Sequence, residues 1–209
     1  LLIELKRSTG DNHLPLIVRI LQLESDPDML FGAISVNDLA GLLEDDDIQA
    51  VGNDCLPHSD SNQQLVARSF PSQKETACIK KDKELVVAGK SVIIWCVFIR
   101  SIGNLLHALT TAGISAVAIS GETDMAARSR SLDAFKAGRV SVLITNPHTL
   151  AESVSLHAVC HDAIYYEYGY NLIHLLQSKD RIHRLGLSDG QYTQYYFMQT
   201  IFNVGGKEW

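Results

Sequence analysis

The 209-residue sequence has no apolar run of membrane-spanning length and nothing resembling a signal peptide, so no membrane association is expected. Basic residues are in the minority, with 18 Lys and Arg against 24 Asp and Glu and a net charge of -6. Broad electrostatic attraction to nucleic acid is thereby excluded, and any such binding needs a local patch or a partner domain. The four cysteines, Cys55, Cys78, Cys96 and Cys160, form no CxxC pair, and Cys96 and Cys160 lie in apolar segments. A reducing, cytoplasmic setting is expected. No GxGxxG fingerprint occurs, and no Asp-Glu-x-His or Asp-Glu-x-Asp segment that would hold Mg²⁺ and a water. The Gly-Lys-Ser at 89–91 is not a phosphate loop: Glu84 stands where the first Gly is required, and a strand pattern follows where a helix should. No metal site is expected either. The run Glu44–Asp47 lacks a Gly turn and a distal ligand, and His157, Cys160 and His161 lack a fourth.

What is present is regular alternation. Residues 14–31 carry apolar residues at helical spacing to about Leu23, and Asp26-Pro27 breaks the pattern. Residues 32–70 weaken into an acidic-ended short helix and loop chemistry. From Ser72 a helix is predicted, with Ser72 as its cap and Gly89 at its end. The run "SVIIWCVF" at 91–98 is apolar and rich in β-branched residues, as in a strand buried on both faces. Helices then alternate with strands at 115–120, 139–145, 162–167 and 191–199, the helix before the last covering 171–186. The pattern predicts right-handed crossovers and a mainly parallel sheet covered on both faces, with ligands at the carboxyl ends of the strands. The loops after Phe98, Ser120, Thr145 and Glu167 are therefore the ones to watch.

The helix at 171–186 contains "QSKDRIHRLG". At about 100° per residue, Gln177, Arg181 and Arg184 fall within roughly a 60° arc bordered by Asp180. Leu172, Leu175, Leu176 and Ile182 fall on the other side and are expected to pack on the sheet. Two readings are open. One is a solvated helix face with a favourable Asp180–Arg184 pair. The other is a fork that holds phosphate, because planar guanidiniums meet phosphate oxygens through paired hydrogen bonds.

"QSKDRIHRLG" resembles motif VI of superfamily 2 helicases and translocases, and its D-R-x-H-R-x-G form is most similar to the chromatin-remodeller branch and its bacterial relatives. Other segments agree in order. "SVIIWCVF" resembles motif IV. "ISGETDMAARSRSLDAFKAGRVSVLITN" resembles the next strand, a Gly-containing loop, a helix with Arg128 near its start, and a further strand. "TNPHTLAESVSLH" is similar to motif V, but Ala151, Glu152 and Ser153 stand where relatives carry glycines, and Ser155 replaces the usual Asn. The likeness covers roughly 72–199 well and 14–30 loosely.

The resemblance implies a RecA-like three-layer α/β/α lobe at 71–209, preceded by a partly helical inter-lobe segment at 1–70. It implies ATP with Mg²⁺, the metal held mainly by a first RecA-like lobe whose motifs this chain lacks. The chain opens on Leu1 within patterned sequence and is expected to be part of a longer protein. Carried onto this chain, Arg184 becomes the arginine finger, Arg181 the γ-phosphate contact and Gln177 the group that positions phosphate or water. Glu152 joins Arg181 and Arg184 at the nucleotide. Thr145, Asn146, Thr149, Ser153 and Ser155 become nucleic-acid backbone contacts, with DNA favoured over RNA. Two other classes stay open: a lobe that has lost catalysis and serves as a protein-docking module, and a free-standing doubly wound enzyme for a phosphorylated small molecule.

Overall fold

The computed structural model describes residues 13–34, 38, 63–64, 72–150, 154–169, 172–183, 191–201, 203–204 and 207–208. Five parallel strands form one sheet: β1 (Val92–Trp95), β2 (Ala116–Ile119), β3 (Val142–Thr145), β4 (Asp162–Tyr165) and β5 (Gln194–Phe197). Their order is β2-β3-β1-β4-β5, with Val92 in register with Val142 on one side and Asp162 on the other. β1, β3 and β4 are buried at every residue, which is why their sequences do not alternate and are apolar but for Thr145 at the end of β3 and Asp162 at the start of β4. Two further short strands, β6 (Asn203–Val204) and β7 (Lys207–Glu208), pair antiparallel.

Among the described residues the helices are α1 (His13–Ser25), α2 (Gln73–Val87), α3 (Ile99–Thr111), α4 (Met125–Lys136) and α5 (Leu172–Asp180). Successive strand residues point to opposite faces, and two cores result. Val92, Ile94 and Cys96 pack with α2 and α3 through Cys78, Leu85, Ile102, Leu105 and Leu109. Ile93 and Trp95 pack on the other face with Leu132 and Phe135 of α4 and with Ile182. The result is the expected α/β/α sandwich. Caps set the starts of two helices, the first as the sequence predicts. The Ser72 side chain accepts from the Glu75 amide at the start of α2, and Asp124 accepts from Ala127 at the start of α4. Gly89 has φ +78°, so the Gly-Lys-Ser segment is a helix end. Lys90 then pairs with Asp162 at 2.9 Å.

The N-terminal helical segment docks on the lobe. After α1, a 3-10 turn (Pro27–Phe31) is capped by Asp26. Asp26 also accepts from Arg100 Nε at 2.6 Å and Asn104 Nδ2 at 2.9 Å on α3. Val18, Met29 and Ile34 form a third core with Val97 and Phe98. The buried Arg19 donates to Gln22 and to the carbonyls of Met29 and Gly32, which ties the turn back to α1. No helix among the described residues is long and apolar enough to cross a membrane.

One buried charge opposes this packing. Asp82 shares the inner face of α2 with Cys78 and Leu85, and neither of its carboxylate oxygens has a hydrogen-bond partner among the described residues. Burial pushes its carboxyl up to about 7. The folded chain therefore holds a proton that the unfolded chain releases near about pH 4. Stability from this group is complete below that value and is lost as the pH rises to about 7. Asp38 and Glu167, also raised by burial, act in the same direction. Replacing Asp82 with Leu is expected to raise Tm above pH 7 by roughly 3–8 °C. It should also flatten the fall in Tm between pH 4 and 7, as read by scanning calorimetry. An unchanged pH profile would rule out Asp82 as its source.

Candidate functional site

The carboxyl ends of β1, β3 and β4 bring three loops together, and each is held by a distinct set of polar contacts. After β1, residues Cys96–Phe98 stay buried and lead into α3. Phe98 provides no side-chain cap for that helix. Glu167, just past β4, supplies one instead. Its carboxylate accepts from the amides of Val97 at 2.8 Å and Phe98 at 2.9 Å, and from the Ser101 hydroxyl. Asp38 takes the next amide, Ile99, at 2.9 Å. An anion suits this place because the first amides of a helix have no intrahelical acceptor and carry partial positive charge. Burial raises both carboxyls, that of Asp38 to about 6, against the lowering effect of the amides they accept from. The loop at Phe98 is one of the four that the sequence marks for ligands. In the structure its amides at 97, 98 and 99 are already taken by carboxylates of the same chain.

After β3 the chain turns tightly, and the Leu150 amide bonds the Asn146 carbonyl. Thr145, Asn146 and Thr149 lie at the buried root of this turn. Arg128, half-buried on α4, reaches across to the Thr149 carbonyl at 3.4 Å. Asn146 Oδ1, Thr149 Oγ1 and Arg128 Nε are buried and have no hydrogen-bond partner among the described residues. Ser155 is half-buried, and its hydroxyl lies 2.5 Å from His157 Nδ1. Glu152 and Ser153 lie outside the described residues. Of the histidines and cysteine weighed as metal ligands, His157 is thus engaged by Ser155. Cys160 is buried with its thiol against the carbonyls of Ser91 and Asp162, and burial pushes that thiol up to about 12.

The arginine segment differs from expectation. α5 ends at Asp180 rather than continuing to 186. Ile182 and His183 both bond back to the Lys179 carbonyl, a tightened last turn. Arg181 is half-buried in that turn, beyond the helix, and Gln177 is exposed on α5. Of the arc expected for Gln177, Arg181 and Arg184, Gln177 is on α5 and Arg181 is in the turn beyond it, and Arg184 lies outside the described residues. The inward seam also differs. Leu175 and Ile182 pack inward, whereas Leu172 and Leu176 are 63% and 50% exposed. The reason is a polar pin. The Tyr165 hydroxyl, reaching from β4, meets Ser178 Oγ at 2.7 Å, and this turns the Leu175–Ser178–Ile182 side to the sheet.

The two loops are joined at the backbone. The Leu156 amide donates to the Arg181 carbonyl at 2.9 Å, and the Leu156 and Ile182 side chains are both fully buried in one core. The segment bearing Ser155 is thereby tied to the backbone of Arg181.

A profile described as the helicase conserved C-terminal domain matches residues 77–186, more than half of the chain. The chain belongs to this helicase C-terminal domain family. The match runs from α2 through the arginine segment and omits the docked helix α1. Among solved structures, the chain is similar to the crystal structure of the C-terminal part of the Fun30 ATPase domain. The TM-score is 0.63 at 17% identity, covering 92% of this chain and 69% of that one. At that identity the likeness speaks for the fold. A search of curated proteins gives no match. Within this helicase-type second lobe, sequence reasoning missed Glu167 and Asp38 as the caps of α3. The only signal for Glu167 was a carboxylate directly after the apolar end of β4. Asp38 carried none.

Glu167→Ala would leave two buried amides and a hydroxyl unpaired, and is expected to lower unfolding free energy by roughly 2–4 kcal/mol. Glu167→Gln, which keeps one acceptor oxygen, should lose less than half as much. Urea titration of both variants checks this, and equal losses would count against a capping role.

Proposed function

We propose that the chain is the second lobe of an ATP-dependent DNA translocase or helicase of the chromatin-remodeller-like branch. The observation that carries this reading is the Leu156–Arg181 backbone bond inside the family-matched region. It sets a hydroxyl-bearing loop and an arginine-bearing turn side by side. The polar groups there include a guanidinium at Arg181 and an amide at Gln177, types that suit an anionic polyphosphate; the Mg²⁺ would fall to the first lobe. ATP supplies the phosphoanhydride bond whose hydrolysis powers movement. Arg181 binds the terminal phosphate, Arg184 places a second guanidinium where charge develops, and Gln177 orients phosphate or water. Glu152 lines the nucleotide side. Ser153 and Ser155 contact the strand backbone, with Thr145, Asn146 and Thr149 supporting the loop from below. Hydroxyls and amides position a phosphate chain without reading its sequence, which suits a lobe of net negative charge. DNA is the preferred track and RNA the second option.

The division into an accessory segment at 1–70 and a lobe at 71–209 belongs to the same proposal. Asp26, Arg100 and Asn104 then form the joint between them. One observation favours a docking role as the alternative: Leu172, Ile173 and Leu176 expose an apolar face on α5.

The 209-residue chain alone is expected to hydrolyse no ATP, even with DNA, and clear turnover by the pure chain would refute the half-site reading. In the full-length protein, Arg184→Ala should reduce DNA-stimulated turnover at least about a hundredfold with nucleotide binding kept. Arg184→Lys should fail similarly, because Lys lacks the planar fork. Near-normal turnover in either variant, alongside retention of partner proteins on the chain, would favour the docking alternative.

A further inference from the structure

We infer that His157 is a positioning residue that sets the direction of the Ser155 hydroxyl toward a nucleic-acid phosphate. This rests on the proposed nucleic-acid role of the 145–155 loop and names a residue that role had not included.

The placement follows from Leu156. Its side chain is fully buried, and its amide is committed to the Arg181 carbonyl. With Leu156 turned inward, its two neighbours remain half-exposed, and their polar ends meet at 2.5 Å, Ser155 Oγ to His157 Nδ1. Ala158 then leads the chain into a turn and back toward β4, with the Val159 and Cys160 amides both bonding the Leu156 carbonyl. The imidazole is thus carried by a fixed backbone.

The chemistry turns on one proton. A serine hydroxyl has a single O–H and rotates freely unless something holds it. When imidazole Nδ1 is bare, it accepts the Ser155 proton, and only lone pairs of Oγ face outward. A phosphate oxygen is repelled by such a surface. When Nδ1 carries the proton, it donates to Oγ, and the Ser155 O–H is released to point at the phosphate. Phosphate binding therefore selects the Nδ1–H form, and the imidazole serves as a backstop for a side chain shorter than the Asn it replaces. The histidine itself needs no contact with the nucleic acid.

The test uses full-length protein and a fluorescent DNA duplex, with affinity read by anisotropy across a salt series. His157→Ala and Ser155→Ala should each weaken binding by roughly 3- to 10-fold. The double variant should be no weaker than either single one, because both remove the same contact. His157→Asn, whose amide can donate from about the Nδ1 position, should restore most of the affinity. The salt dependence should be unchanged, since a neutral hydroxyl releases no counterion. Unchanged affinity in His157→Ala, or losses that multiply in the double variant, would overturn the inference. So would a salt slope reduced by about one, which would make the imidazolium itself the phosphate contact. If the parent protein binds no DNA, the proposed function falls with it. If the parent binds and only the His157 variants behave like it, the inference alone fails.

Discussion

The buried carboxylate of Glu167 is the interaction on which the working edge of this lobe depends. It closes the gap between the ends of β4 and β1 by taking two consecutive amides of the loop between β1 and α3. Without it, the two amides that lead into α3 and the Ser101 hydroxyl would sit in the core with no acceptor, a cost that grows with burial. The residue before it, Tyr166, sends its hydroxyl to the Ser25 carbonyl, so the same stretch of chain also anchors the end of α1. Strand ends, helix start and N-terminal segment are thereby held together by adjacent side chains.

A second constraint links the two loops that the helicase reading assigns to different ligands. Leu156 is fastened both by its side chain, in one core with Ile182, and by its amide, on the Arg181 carbonyl. Packed interiors respond to displacement as units, not as independent parts. The loop that carries Ser155 and the turn that carries Arg181 therefore share one backbone bond and one core.

The docked segment at 13–34 lies outside the family match, yet it is bound to the lobe by charge as well as by apolar contact. Arg100 meets both Asp26 and Asp28 from α3, and buried Lys74 pairs with Glu24 from α2. The half-exposed Arg100–Asp28 pair contributes little by itself in water. Asp26 is different, being buried and satisfied by three donors, and it anchors the segment.

The layers of this lobe were legible in the sequence because their causes are local. Continuous apolar runs mark strands covered on both faces, Ser72 and Asp124 mark helix starts, and Gly89, Gly113 and Gly138 sit at positive φ where the helices end. The family's likeness was legible in the ordered motifs for the same reason: spacing along the chain is preserved in the fold. The end of α5 was not legible, because helical periodicity runs past Asp180 and only the Tyr165–Ser178 contact and the Lys179 carbonyl reveal where the turn tightens. Nor were the carboxylate caps of α3, whose acceptors come from 61 and 69 residues away. Local pattern determined which elements form. Which polar groups meet at their ends was decided by tertiary structure, because a buried donor is satisfied by whatever acceptor the packing brings within reach.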